Sequence, residues 1–480
     1  MNNLAKVHFI GIGGAGMSGI ARVLLAMGYE VSGSDLKESR NTLSLREEGV
    51  KVMIDHDPDN VIDQDTVVIS SAIPSGNPEL ARARELSIPV VSRAQMLSQI
   101  ARRYRSIAVA GTHGKTTTTS MISLVFQKCG LDPTFLIGGE LNDIGSNAKY
   151  GQGEFLVAEA DESDGSLLCL APEMIVITNI EPDHLDFYGS FDRIEETFLA
   201  FADALPKNGV AFVCGDHPAV KSLLSKSKSN FVTYGFEEAC DLQAANLSLE
   251  ALGSTFEVYR DGELLGQVGL KVPGKHNIYN ALATLAVGSA VGLSVEEITR
   301  ALASFTGVKR RFQVVGRQAG VTIVDDYAHH PTEVQATLDA AKNGGWNRVI
   351  CIFQPHRYSR TRLLGHEFGQ AFDSADVVVL TDVYAAGEQP VPGVTGKVIL
   401  DAVLAHNPRQ RVVYLPKKVE IKNFLDDHAL PGDLIITMGA GDVWMVGEEL
   451  HHHLQTHRME SHYAVAPASP AFPMAEGASG

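Results

Sequence analysis

Short apolar runs of strand length alternate along most of the chain with stretches whose apolar positions recur at helical spacing. In the first hundred residues 7–12, 30–34 and 66–70 read as strands and 17–27 as a helix. Strand and helix in alternation put the strands parallel in one sheet. The polar, basic stretch 101–105 precedes a fresh strand at 106–110, which sets the first domain boundary. The next segment opens the same way, with strands 106–110, 155–159 and 174–178 and a long helix from Lys115. It then changes to short strands at 210–214, 231–234, 255–260 and 264–270, the last two joined by Asp261-Gly262, a good hairpin turn. Two helices follow, and Ser294 with Glu297 forms a capping box for the second. After Arg310-Arg311-Phe312, strands at 321–327, 348–353, 377–381, 412–415 and 434–437 again alternate with helices. The expected fold is α/β, with domains at 1–105, 106–313 and 314–459 and a disordered Ala-, Pro- and Ser-rich tail at 460–480. His451-His452-His453 cannot all face one metal from a helix and reads as a solvated helix end.

A chain of 480 residues suits three domains at ~150 residues each. The 40 Lys and Arg against 57 Asp and Glu give a net charge of −17. A surface this acidic repels phosphate backbones, so no nucleic-acid partner is expected. Five scattered cysteines without a C-x-x-C pair read as reduced thiols rather than a disulfide frame or zinc site. No apolar run reaches membrane-helix length, and because the sequence enters a strand and glycine turn at once, no signal peptide is expected. The expected location is cytoplasmic, with no membrane insertion. Oligomeric state is not legible.

Gly11-Ile12-Gly13-Gly14-Ala15-Gly16 follows a strand and opens a helix, fitting G-x-G-x-x-G. Such a turn brings backbone close to a diphosphate and aims a helix N-terminus at it. Asp35 stands near the offset where an acid reads a ribose hydroxyl. The blander reading is a glycine turn that serves packing. Gly111-Thr112-His113-Gly114-Lys115-Thr116-Thr117-Thr118 is the stronger element. Its glycines expose N–H groups to phosphate oxygens, Lys115 reaches the terminal phosphates, and the Thr116 hydroxyl suits Mg²⁺. The loop departs from G-x-x-x-x-G-K-[ST], because Val109 stands where the first Gly belongs. Carboxylates follow two later strands, in Glu159-Ala-Asp161-Glu162-Ser163-Asp164 and in Asn179-Ile-Glu181-Pro-Asp183-His184-Leu-Asp186. Each alone would be a solvated acidic loop, but both end strands of the P-loop sheet, where ligands bind.

Gly274-Lys275-His276-Asn277-Ile-Tyr279-Asn280 opens a helix, and its Asn side chains either read an adenine edge or cap that helix. Asp325-Asp326-Tyr327-Ala328-His329-His330-Pro331 ends a strand, with Pro331 suited to a first helical position. Asp326 and His330 read equally well as structural. Arg357 and Arg360, in Gln354-Pro355-His356-Arg357-Tyr358-Ser359-Arg360, share a face if helical. They suit a carboxylate or phosphate, or else pair with surface acids. A nucleoside-diphosphate block, an NTP block and a small-anion block together suggest ATP activation of a carboxylate as an acyl phosphate, which an amine then displaces.

Six runs in order, G-T-H-G-K-T-T-T, E-A-D-E-S-D, N-I-E-P-D-H-L-D, H-N-I-Y-N-A-L-A, D-D-Y-A-H-H-P-T-E and H-R-Y-S-R-T, resemble the Mur ligases of peptidoglycan synthesis. The resemblance covers residues 5 to about 450. It implies a Rossmann-like first domain for a UDP-sugar, a P-loop ATPase middle domain with an added small antiparallel sheet, and a Rossmann-like third domain for the incoming amino acid. Within the family, G-I-G-G-A-G-M-S-G-I-A and H-R-Y-S-R-T are most similar to the members that join L-alanine to UDP-N-acetylmuramate. Carried over by position, Gly13, Gly14, Ala15, Gly16, Met17, Asp35, His56, Ser70 and Ser71 would contact the UDP-sugar. Gly111, Thr112, His113, Gly114, Lys115, Thr116 and Thr117 would hold ATP phosphates, with Thr116, Glu159 and His184 on Mg²⁺. Asn280 would lie near adenine, and Arg310 or Arg311 with Asp326 would touch nucleotide. Tyr327, His329, Arg357 and Arg360 would line the alanine and muramoyl-carboxylate site, with Lys115, Glu159, His184, His329, Arg357 and Arg360 as the catalytic set.

Several siblings carry a carbamylated lysine soon after the equivalent of His184, but no Lys lies between His184 and Lys207. Glu195, Glu196 or other groups remain open as substitutes. The sequence does not identify the base that takes the amine proton; His329 is one hypothesis, on the ground that a near-neutral imidazole suits proton uptake. The linkers near Arg105 and Gly307 are candidate hinges for bringing separated reactants together. Three rivals stand beside this reading. A nicotinamide oxidoreductase leaves the P-loop unexplained. A sibling that attaches a preformed murein peptide shares most residues. A nucleotide sensor without turnover has no use for Lys115, Thr116, Glu159 and His184 together.

Overall fold

The computed structural model describes residues 5–456. The tail expected to be disordered lies outside the described residues. Among the described residues the strands form three sheets. The first holds β1 (Lys6–Ile10), β2 (Glu30–Asp35), β3 (Lys51–Ile54), β4 (Thr66–Ile69) and β5 (Val90–Ser92), all parallel, in the order 3-2-1-4-5. That is the doubly wound order, which leaves a crevice at the carboxyl ends of β1 and β4.

The second sheet holds β6 (Arg105–Ala110), β7 (Thr134–Leu141), β8 (Ser146–Lys149), β9 (Phe155–Glu159), β10 (Met174–Ile177), β11 (Val210–Cys214), β12 (Phe231–Gly235), β13 (Leu242–Glu250), β14 (Gly253–Arg260) and β15 (Glu263–Leu270). Its order is 15-14-13-12-11-10-6-9-7-8. β6 runs parallel between β10 and β9, so the loops after all three meet at one edge. The expected small antiparallel addition takes the form of two hairpins, β13–β14–β15, that continue this sheet at its far end. Asp261 and Gly262 turn the second hairpin with φ of 52° and 78°, the positive pair a tight two-residue turn requires. β7 and β8 pair antiparallel at the opposite end and were not legible from the pattern. Gly138 and Gly139 interrupt the apolar run of β7.

The third sheet holds β16 (Gln313–Gln318), β17 (Val321–Asp326), β18 (Arg348–Phe353), β19 (Val377–Leu380), β20 (Val412–Tyr414) and β21 (Asp433–Met438), in the order 16-17-21-18-19-20. Only β16 runs antiparallel to its neighbour. Alternate residues serve opposite cores. Val324, Cys351 and Ile436 pack on one face, and Ile323, Ile350, Ile352 and Ile435 on the other. Burial on both faces is why these strands read as continuous apolar runs.

The chain divides into two compact units, one comprising residues through Leu247 with 256–269 and 277–308, the other 248–255, 270–276 and residues from Lys309 onward. In the first unit one continuous core joins Phe9, Ile20 and Leu24 to Leu136, Ala148 and Phe198. No described helix is long and apolar enough to cross a membrane.

Candidate active site

The phosphate loop connects β6 to the helix Lys115–Lys128. Gly111 has φ 132°, and a Cβ there would lie 2.0 Å from Thr178 Oγ1, so the tight turn excludes any side chain. The helix behind it is almost wholly buried although its sequence is polar. Thr119, Ser120 and Ser123 solve this by donating their hydroxyls to carbonyls one turn back, at 2.7–2.9 Å. The loop is braced from β10: Asn179 Oδ1 accepts from the His113 N–H at 2.8 Å, and the Thr178 hydroxyl donates to the His113 carbonyl at 2.5 Å. Thr112 Oγ1 accepts from the Glu181 N–H at 2.8 Å, and His113 Nε2 lies 3.4 Å from Glu181 Oε2.

Lys115 Nζ donates to the Gly111 carbonyl at 2.5 Å, to the Thr112 carbonyl at 3.1 Å and to Glu162 Oε1 at 2.7 Å. Burial acts to discharge this amine, but the charge and hydrogen bond of Glu162, with Asp161 and Glu159 beyond, outweigh it and hold the lysine protonated. Burial pushes the Glu162 carboxyl up to about 7 against the pull of Lys115. Glu162 was not expected as a site residue. Its signal was its place three residues after Glu159 in a run read only for metal ligands.

Of the three expected Mg²⁺ ligands, the structure brings two together: Thr116 Oγ1 donates to Glu159 Oε2 at 3.3 Å, and the Gly138 N–H donates to Glu159 Oε1 at 2.5 Å. A hydroxyl beside a carboxylate at the mouth of a phosphate loop is a hard-oxygen donor set that fits Mg²⁺. His184 stands after the adjacent strand β10 in a left-handed backbone conformation, φ 53°, with Nε2 3.6 Å from Asp183 Oδ2. Asn280 is buried beneath the loop, accepts from the Thr118 hydroxyl at 3.0 Å and donates to Asn277 Oδ1 at 3.2 Å. Its side chain anchors the loop helix. Glu195, one candidate for the missing lysine, lies 3.8 Å from Lys226, and Glu196 is exposed.

In the first domain, Gly13 donates its N–H to Asp35 Oδ2 at 2.9 Å, and a Cβ at Gly13 would lie 2.8 Å from that oxygen. Asp35 therefore ties β2 to the glycine turn. Gly14 caps the helix Ala15–Ala26, which begins with Ala15 and Gly16, and Met17 is buried within it. His56 Nδ1 is 2.9 Å from Ser34 Oγ and 3.3 Å from Glu79 Oε2. Ser70 is half-buried and Ser71 exposed just past β4.

The second unit carries its own cluster past β17 and β18. Arg310 donates to Asp325 at 2.9 Å and to the Gly439 carbonyl at 2.6 Å, and Arg310 and Arg311 both stand over the Tyr327 ring, at 5.0 and 5.2 Å. Asp326 accepts from the Phe312 and Ala328 N–H groups, each at 2.7 Å, and burial pushes its carboxyl up to about 6. Its visible work is to hold the chain turn after β17. His329 Nδ1 is 3.0 Å from the Tyr327 carbonyl, an acceptor, so that nitrogen carries the proton. Burial pushes this imidazole down to about 3, well below the near-neutral value on which the His329 hypothesis rests; the ring is neutral across the physiological range.

Arg357 and Arg360 do not share a helix face. The helix Tyr358–Leu364 starts after Arg357, whose φ of 70° turns it outward to Glu388 Oε1 at 2.7 Å. Arg360 is buried, 3.3 Å from His356 Nδ1, and His356 stacks on Tyr384. Glu388 and Tyr384 lie on a loop that carried no sequence signal.

A phosphate loop at the centre of a parallel sheet, a glycine turn in a doubly wound first domain and a third domain with cationic side chains at its strand ends define a three-domain ATP-dependent ligase. The family models say the same: one for the Mur ligase family, catalytic domain, matches residues 6–105, one for the Mur ligase middle domain matches 109–288, and one for the Mur ligase, glutamate ligase domain matches 310–441. The chain belongs to the Mur ligase family. It is 51% identical over 448 residues to a UDP-N-acetylmuramate–L-alanine ligase of Desulforamulus reducens, covering 93% of this chain and 97% of that one. A second enzyme of that name, from Pelotomaculum thermopropionicum, is 50% identical over 94% of this chain and 98% of its own. Among solved structures, the UDP-N-acetylmuramate–alanine ligase of Thermotoga maritima superposes with a TM-score of 0.80 at 30% identity, over 94% of this chain and 99% of that one. A murein peptide ligase from Psychrobacter arcticus gives 0.70 at 25% identity, over 94% and 98%.

Proposed function

We infer that this chain ligates L-alanine to the lactyl carboxylate of UDP-N-acetylmuramate at the expense of ATP, releasing ADP and phosphate, in peptidoglycan precursor synthesis. The observation that carries the reading is the Lys115 amine, kept charged at the start of a helix and beside the Thr116–Glu159 pair. Likeness to enzymes of that name, over more than 90% of the chain at about half identity, supports it. In this reading residues 1–105 hold the sugar nucleotide, 106–313 the ATP and 314–459 the alanine, and the reaction runs in the cytoplasm.

A free carboxylate resists amide formation because oxide is a poor leaving group. The sugar-borne carboxylate takes the terminal phosphoryl group of ATP, and the bond to ADP breaks. The alanine nitrogen then attacks the acyl carbon, and inorganic phosphate leaves with the former carboxylate oxygen. The loop N–H groups and Lys115 offset charge on the phosphoryl oxygens during transfer. Thr116 and Glu159, with His184 from the loop after β10, would hold Mg²⁺, which would supply further charge neutralisation. On the third domain the neutral His329 donates from Nδ1 to the Tyr327 carbonyl, which leaves Nε2 as an acceptor for an amine. Arg357 and Arg360 suit a carboxylate, Arg357 being kept in place by Glu388.

The test is phosphate release by the purified protein with UDP-N-acetylmuramate, L-alanine or ATP omitted in turn. Turnover requires all three. Release that ignores the sugar nucleotide, or that proceeds only with a murein peptide as the amine, sinks the reading.

A further inference from the structure

We propose that Arg93 couples the glycine turn of the first domain to the phosphate loop of the second by exchanging partners: Asp161 when the turn is empty, the diphosphate of the sugar nucleotide when it is filled. This rests on the reading of residues 13–16 as the sugar-nucleotide turn. It adds a residue that neither the sequence motifs nor the reaction scheme uses.

Arg93 is the first residue of the helix Arg93–Ala101, behind the Ser92 cap. Its side chain also lies against the start of another helix, Ala15–Ala26: a Cβ on Gly16 would stand 3.1 Å from Arg93 Cδ and 3.3 Å from a guanidinium nitrogen. The guanidinium thus sits by the N-terminus of Ala15–Ala26, the positive end of its dipole, and that helix has no acid in its first turn. A cation there is badly placed unless an anion joins it. Asp161 is the anion the protein supplies, with Oδ2 2.8 Å from an Arg93 nitrogen.

Asp161 is not a neutral bystander. Its Oδ1 accepts from the Ser163 N–H at 3.0 Å, and its carbonyl accepts from the Leu167 N–H at 3.0 Å, so it shapes the loop that carries Glu162. Arg93, Asp161, Glu162 and Lys115 therefore form one chain of charges from the glycine turn to the phosphate loop. A diphosphate at the turn offers Arg93 a fixed, doubly charged partner. Asp161 then loses the guanidinium, and the loop it shapes, which carries Glu162 to Lys115, changes its anchoring before ATP reacts. By linkage, whatever the sugar nucleotide does to this loop, nucleotide at the loop does in return.

Titration calorimetry of the full chain with UDP-N-acetylmuramate alone tests the exchange. Arg93→Ala raises Kd by about tenfold, the worth of one charge-assisted contact, and flattens its dependence on salt. Asp161→Asn frees the guanidinium and lowers Kd, but changes nothing in an Arg93→Ala background. A purely structural pair would instead weaken binding on removal of either member. An unchanged Kd in Arg93→Ala, or weaker or equal binding in Asp161→Asn, overturns the proposal. If Arg93→Ala does not fold by its melting curve, Arg93→Lys and Asp161→Asn carry the same comparison. Wild-type protein that fails to bind the sugar nucleotide defeats the functional reading itself, an outcome distinct from a bound nucleotide indifferent to Arg93.

Discussion

Lys115 shows how much one side chain depends on its surroundings. Burial alone would discharge its amine, and the carboxylates of Glu162, Asp161 and Glu159 reverse that. Lys115→Ala removes the one loop cation and leaves Glu162 buried without its ion-pair partner. Turnover should fall on the order of 10²–10³-fold, read as phosphate release, as for loss of other groups that meet developing charge. His329 makes the opposite case. Its imidazole is pushed down to about 3, chiefly by burial, so it takes up no proton between pH 5 and 8. His329→Gln should raise the KM for L-alanine and leave the shape of the pH–kcat profile unchanged in that range. A profile that loses its acidic limb in the variant would restore His329 as the base.

Elements position these residues through contacts that lie far apart in sequence. The helix Val295–Leu302 carries the reciprocal Ser294–Glu297 cap that the sequence announced. Ser294→Ala should cost ~1 kcal/mol in denaturant unfolding with the KM values unmoved. The segment around Glu388 is the reverse, a loop invisible to any pattern that nevertheless holds Arg357 by Nε at 2.7 Å and Ser359 by its N–H at 2.9 Å. Glu388→Gln should raise the KM of the substrate whose carboxylate Arg357 meets by about tenfold, the value of a hydrogen bond between charged groups, with thermal stability nearly unchanged. A drop in melting temperature without a KM effect would make Glu388 structural only.

For the whole molecule, buried histidines of the second unit tie stability to pH. His276 is pushed down to about 4, by burial and then by Arg311, from an ordinary value of 6.5. The unfolded chain takes up that proton near 6.5 while the folded chain resists until about 4, so this contribution is lost as pH falls through that window. Glu162 and Asp326, raised to about 7 and about 6, work in the other direction. The clean measurement is therefore a difference. His276→Gln should gain in melting temperature relative to the wild type as pH falls from 6.5 to 4, at ~1 °C per kcal/mol for a chain of 480 residues. A difference that stays flat across that range would refute the assignment.

Periodicity and turn chemistry are local properties, and the sequence by itself determined what rests on them: the parallel strands, the glycine turn, the phosphate loop, the Asp261-Gly262 hairpin and the Ser294 cap. Apolar runs buried on both faces and glycines in forced conformations leave marks that neighbouring residues cannot blur. Only the tertiary structure decided which polar groups share a charge. It put Glu162 on Lys115, Glu388 on Arg357, Asp161 on Arg93 and Asn280 beneath Thr118, pairs separated by 31 to 162 residues. It also pushed the His329 imidazole down to about 3 and so kept it uncharged, because a pKa is set by burial and by charges brought in from elsewhere in the fold, and no window of sequence contains them.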